Sequence, residues 1–131
     1  MFVRLKNNVG GQKMEKVLVH TTWGPTDPTR AGLAFAYAML SKKQGAEVYM
    51  FLFHDAVLLA RKQMYPLAIP IGPPPIKDCM EYLLEHKVKI YVCKPCYELR
   101  GIDEKDLVDI AELKGMDYFV ELAKTSKVVS F

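Results

Sequence analysis

Apolar residues in this chain fall into short unbroken runs alternating with longer, periodic stretches. Lys16-Val-Leu-Val-His-Thr-Thr22 is a β-branched run closed by Trp23-Gly24-Pro25, a turn signal, and predicts a strand. Asp27-Pro28 supplies a helix N-cap with proline at the first helical position. The helix predicted from there runs through Ala31–Leu40 and stops near Gln44-Gly45. It is apolar nearly all round, so it should be covered on two sides, by a sheet and by a second element or subunit. Ala46–Phe53 is continuously apolar over strand length, the pattern of a strand buried on both faces in a parallel sheet.

His54-Asp55 ends that strand, and a short helix is predicted over Ala56–Arg61. Residues 64–75 hold Pro66, Pro70, Gly72 and Pro73-Pro74-Pro75, too many prolines for a helix or a central strand. Ile76–His86 is amphipathic, with Ile76, Met80, Leu83 and Leu84 on one face. Val88–Val92 is a third strand and runs directly into Cys93-Lys-Pro-Cys96. Beyond it, Asp103 can cap one helical turn, residues 107–113 partly alternate as a short extended piece, and residues 115–124 have helical spacing. Lys127–Phe131 closes the chain as a last strand. Strands alternating with helices of about ten residues predict an α/β fold on a mostly parallel sheet. Residues 1–15, ending in no sustained period after Gly10-Gly11, are expected to form a mobile arm or a weak edge outside a single domain at 16–131.

Composition narrows the function classes. A chain of 131 residues, half of them hydrophobic, has room for one domain and one core. A formal charge of +3, from 18 basic and 15 acidic residues, is too small an imbalance to make nucleic acid the main partner. No apolar run approaches the roughly 20 residues that span a bilayer, and the first sixteen residues lack the apolar region of a secretory signal. The expected setting is the cytoplasm, without membrane attachment. Three cysteines, an odd number, do not form a disulfide framework in a chain of this kind. Each is either a buried hydrophobe or chemistry.

Ligands of open α/β sheets bind beyond the carboxyl ends of the strands. Thr21-Thr22-Trp23, His54-Asp55, Cys93–Cys96 and Phe131 all fall at such ends. Cys93 is the sharpest candidate. Directly after a strand it should be exposed at the top of the sheet, where backbone N–H groups, Lys94 and Arg100 would favour thiolate over thiol. A thiolate attacks sulfane sulfur and leaves from a persulfide. Position alone equally admits a buried strand-end cysteine. Cys96 completes a Cys-x-x-Cys: a thioredoxin-type redox pair is an open reading, whereas zinc would need more ligands than one pair and the separate His20, His54 and His86 provide. Cys79, on the helix from Ile76, reads as a core thiol. His54 could supply acid–base help or an anion contact, and Trp23 and Tyr97 could line a pocket, though each has a commoner structural role. No phosphate-binding loop and no cofactor motif is present.

The segments KVLVHTT, PTDPTRAGLAFAYAMLSKKQGAEVYMFLFHDAVLLA, KIYVCKPCYELRGI and ELAKTSKVVSF together resemble the DsrE/DsrF-like family of intracellular sulfur-relay proteins over Lys16–Phe131. The most specific element is the strand-end cysteine eight residues before Gly101, in the segment that closes with Leu99-Arg100-Gly101-Ile102. The resemblance implies that Cys93 carries a persulfide, as the corresponding cysteine does in TusD-type members; Cys96 has no counterpart in those. It also implies a three-layer α/β/α fold around a parallel five-stranded sheet, homo-oligomers such as trimers or hexamers, and exchange of sulfur with a small TusA-like carrier. A basic rim of Lys94, Arg100 and Lys105 would suit an acidic partner or an anionic donor such as thiosulfate. The expected function is therefore a sulfur carrier or sulfurtransferase that holds sulfane sulfur on Cys93 as a persulfide or thiosulfonate and passes it to a partner thiol, with Cys96 as a candidate second thiol. An oligomeric interaction module with an inert Cys93, and a Cys-x-x-Cys redox protein, are the alternatives.

Overall fold

The computed structural model describes residues 14–131. The arm expected over residues 1–15 therefore lies almost wholly outside the described residues. Five strands, β1 (Lys16–Thr21), β2 (Glu47–Leu52), β3 (Lys89–Cys93), β4 (Ala111–Lys114) and β5 (Lys127–Ser130), form one sheet in the order β4-β3-β2-β1-β5. Every pairing in it is parallel, so "mostly parallel" becomes all parallel. The helices are α1 (Pro28–Lys43), α2 (Ile76–Glu85), α3 (Lys94–Leu99) and α4 (Met116–Ala123).

The chain steps from β1 to β4 in one direction, and its last connection crosses the whole sheet to place β5 beside β1. Right-handed crossovers put α1 and α2 on one face for the outward steps and α4 on the opposite face for the return. The contacts agree. α1 packs on α2, β1 and β2, while Phe119 of α4 meets Phe51, Phe53 and His20 edge-on, and Tyr118 meets Tyr91. Strand alternation therefore gives Tyr49, Phe51 and Tyr91 to the α4 layer and Met50, Leu52, Ile90 and Val92 to the α1–α2 layer. This is the three-layer α/β/α architecture, and both sets of central-strand side chains account for the unbroken apolar runs of β2 and β3.

Asp27 caps α1 as its sequence predicts, with its carboxylate accepting the Arg30 N–H at 3.1 Å and Pro28 opening the helix. The second side of this apolar helix is covered within the same chain, by α2 and the Pro-rich segment. Gly32 makes that approach possible, because a Cβ there would stand 2.9 Å from Cβ of Pro70. Thr29 Oγ1 fastens the segment by accepting the Ile71 N–H at 3.0 Å. Leu33 and Leu40 stay about half exposed on the remaining side. The short helix expected over 56–61 is a 3₁₀ helix over His54–Ala60, packed against β3 and α3. Its early start places His54 and Asp55 within the turn that covers the end of β3.

Candidate functional site

The carboxyl ends of β1, β2 and β3 are bound to one another by backbone as well as side chains. Thr21 is fully buried at the end of β1; its carbonyl accepts the Phe53 N–H at 3.1 Å, and its hydroxyl accepts the Trp23 N–H at 3.1 Å. The turn that follows presses Gly24 onto residue 55 so closely that a Cβ would lie 2.4 Å from the Asp55 carbonyl oxygen. Glycine is required there for proximity, since no side chain fits. Trp23 has the Arg30 guanidinium 4.6 Å from its ring centroid.

Cys93 ends β3, and Cys96 sits in the first turn of α3 as its near neighbour. Cys93 is buried, with 7 % of its surface exposed, whereas Cys96 is half-buried. The expectation of an exposed Cys93 is thus corrected: the 3₁₀ helix 54–60 packs over the strand end. The expectation of a favoured thiolate on Cys93 is corrected too. Burial, reinforced by the neighbouring Cys96 thiol, pushes its thiol up to about 11, and the Cys96 N–H and the Arg100 charge only partly oppose this. Lys94 is exposed at the first position of α3.

Arg100 gathers the surrounding groups. Its guanidinium donates from Nε to Asp55 Oδ1 at 3.0 Å, from Nη1 to the Cys96 carbonyl at 3.2 Å, and from Nη2 to His54 Nδ1 at 2.8 Å. Nη2 also lies 2.9 Å from Asp55 Oδ1. A planar fork with five donors is suited to holding three acceptors at once. Accepting at Nδ1 leaves the neutral His54 ring with its proton on Nε2. The backbone N–H of His54 donates to Cys96 Sγ at 3.2 Å. His54 adopts φ 55°, a left-handed conformation that a residue with a side chain rarely takes. The strain lies where the N–H is aimed at sulfur.

Sequence reasoning missed the role of Asp55 as the anchor of Arg100; an Arg and an Asp 45 residues apart leave no spacing signal. Two members of the expected basic rim have acidic partners. Arg100 is engaged within the site, and Lys105 pairs with Asp103 at 3.6 Å beside a concavity also lined by Lys62, Glu104, Val108 and Glu112. Cys79 is fully buried in α2, and burial pushes its thiol up to about 11, as befits a core residue. His86 stacks on Tyr82 at the end of α2, and His20 meets Ser130, with 2.6 Å between Nε2 and Oγ. Burial lowers the pKa of His20. Among the described residues no three His, Cys, Asp or Glu side chains converge as a metal would need.

A parallel sheet with a cysteine pair at the end of its third strand defines a small thiol-bearing α/β domain. The chain belongs to the DsrE/DsrF-like family, whose model matches residues 15–131. It is 34% identical over 117 residues to an uncharacterized protein of Methanocaldococcus jannaschii, covering 88% of this chain and 99% of that one. An uncharacterized protein of Methanopyrus kandleri is 29% identical over 118 residues, covering 90% and 94%. Among solved structures, the ychN protein from E. coli superposes with a TM-score of 0.77 at 22% identity, covering 90% of this chain and all of that one. A protein of unknown function from Methanobacterium thermoautotrophicum superposes with a TM-score of 0.68 at 14% identity, covering 89% and 99%. These two share the fold. The family supports a sulfur-relay context. No helix among the described residues is long and apolar enough to cross a membrane.

Proposed function

We propose that this protein is a cytoplasmic sulfur carrier that holds sulfane sulfur on Cys93 as a persulfide and passes it to a partner thiol. The observation that carries the reading is the cysteine pair at the end of β3, Cys93 buried and Cys96 held by His54 and Arg100, in a chain of the DsrE/DsrF-like family. Burial suits storage, because a persulfide kept from bulk solvent and free thiols is protected from premature exchange. The acceptor is a thiol on another protein, of the kind a small TusA-like carrier presents. The Pro-rich segment leaves Leu67, Ile69 and Ile71 well exposed, with Ile71 at 85 %, and this apolar surface supports a homo-oligomer such as a trimer or hexamer.

The test is mass spectrometry after incubation with a sulfane donor. The expected result is an adduct of one sulfur atom that fragmentation places on Cys93 at equilibrium. No adduct under any donor would overturn the reading. Thiol–disulfide exchange is the second reading, supported by the placement of both cysteines at one strand end. A stable Cys93–Cys96 disulfide with a cytoplasmic-range potential and no sulfur loading would favour it.

A further inference from the structure

The groups at the strand ends are arranged around Cys96 more than around Cys93. Cys96 is the half-buried sulfur of the two, whereas Cys93 shows solvent little of its surface. The strained His54 backbone directs its N–H to Cys96 Sγ at 3.2 Å, and Arg100, anchored on Asp55, grips the Cys96 carbonyl at 3.2 Å. The N–H given to Sγ is a contact that negative charge developing on sulfur can use, while the Arg100 bond holds the turn that carries it. The thiol of Cys93, by contrast, is buried at the strand end, and burial pushes it up to about 11.

We propose that Cys96 is the entry thiol, which takes sulfur from an external organic persulfide, and that Cys93 is the store to which it is then passed. This division of labour rests on the sulfur-carrier reading. In the first step the Cys96 thiolate attacks the outer sulfur of R–S–SH. The Cys96 S–S bond forms, the R–S bond breaks, and R–S⁻ leaves with the electron pair and takes up the proton that Cys96 has lost. In the second step Cys93 Sγ attacks the outer sulfur of Cys96–S–SH as its own proton passes to the departing Cys96 Sγ. The Cys93 S–S bond forms as the Cys96 S–S bond breaks. The transferred atom keeps its oxidation state throughout, so no oxidant or reductant is consumed.

Two measurements on the full chain test this. Under limiting N-ethylmaleimide at neutral pH, Cys96 should be labelled about tenfold or more ahead of Cys93. With glutathione persulfide as donor, followed by intact mass over time, Cys96→Ser should load about tenfold or more slowly than the wild type and still end with sulfur on Cys93. Cys93→Ser should load at the wild-type rate and lose its sulfur to added thiol faster than the wild type does; Cys93→Ala serves where the buried hydroxyl unfolds the chain. Earlier labelling of Cys93, or a Cys96→Ser chain that keeps pace with a wild type that loads, overturns the division of labour alone. A wild type that takes up no sulfur overturns the carrier reading, and this inference with it.

Discussion

The backbone N–H of His54 and the sulfur of Cys96 meet at 3.2 Å across 42 positions of sequence. That contact ties the residues after β2 to the helix that follows β3. Arg100 makes the link mechanical, because it holds the His54 ring, the Asp55 carboxylate and the Cys96 carbonyl together.

Removing this fork should loosen all three at once. Arg100→Ala is expected to lower stability by about 1–3 kcal/mol, the range for leaving partly buried charged partners unmatched. Arg100→Lys should restore less than half of it, since a single ammonium cannot reproduce three directed bonds. Urea unfolding of the three chains measures this; equal stability of the Lys variant and the wild type would show that charge alone suffices.

The reactivity of Cys93 should follow its proton. In Cys96→Ser the leading cause of its raised pKa, burial, is unchanged, so its alkylation rate should climb about tenfold per pH unit from neutrality without levelling below pH 10. The linkage has a definite sign. A thiol that the fold keeps protonated up to about 11, against 9.0 ordinarily, contributes stability that is complete below pH 9 and lost as pH rises through 11. Cys79, also pushed up to about 11, adds in the same direction. Thermal melts between pH 8 and pH 11 should therefore fall progressively, and a plateau in Cys93 alkylation near pH 8 would contradict its burial.

Gly24 should accept no side chain. Gly24→Ala places a Cβ against the carbonyl oxygen, carbonyl carbon and Cβ of Asp55, none of which is the flexible end of a side chain. An overpacking cost of about 1–3 kcal/mol is expected. Displacement of Asp55 should also slow maleimide labelling of Cys96 by weakening the Arg100 brace. Unchanged labelling would separate the turn from the site.

The exposed apolar segment makes a prediction about assembly. Ile71→Asp should shift the mass measured by light scattering from an oligomer toward the monomer, while the helical signal in circular dichroism is retained because Ile71 is 85 % exposed. A wild-type chain that scatters as a monomer would remove this surface from the account.

Much of the framework was legible in the residues themselves. Asp27-Pro28 marked the start of α1, and the unbroken apolar stretch at 46–53 announced a strand covered on both faces. The order of strands and helices then left few topologies open. Cys93 and Cys96 could be picked out because a strand-end cysteine is rare enough to notice. Their environment could not. The burial of Cys93 depends on a 3₁₀ helix whose first residue takes a left-handed backbone, and sequence spacing carries no trace of that choice at His54. The Arg100–Asp55 pair is likewise a consequence of the sheet, since only the adjacency of β2 and β3 brings 55 and 100 together. Basic residues near the thiol in sequence suggested an activated thiolate, but desolvation outweighs one shared guanidinium.

The crossing of the last connection to β5 has a consequence for the order in which the protein is made. Every group that braces the thiols lies between His54 and Arg100, and β1, β2 and β3, which pair with one another, are all complete by Cys93. β5, by contrast, reaches back 110 positions from Ser130 to His20. On the ribosome the thiol pair can thus be enclosed by its own neighbours while the strand that finishes the sheet is still being synthesised. The reactive sulfurs gain their cover early, and the edge of β1 waits longest for its partner.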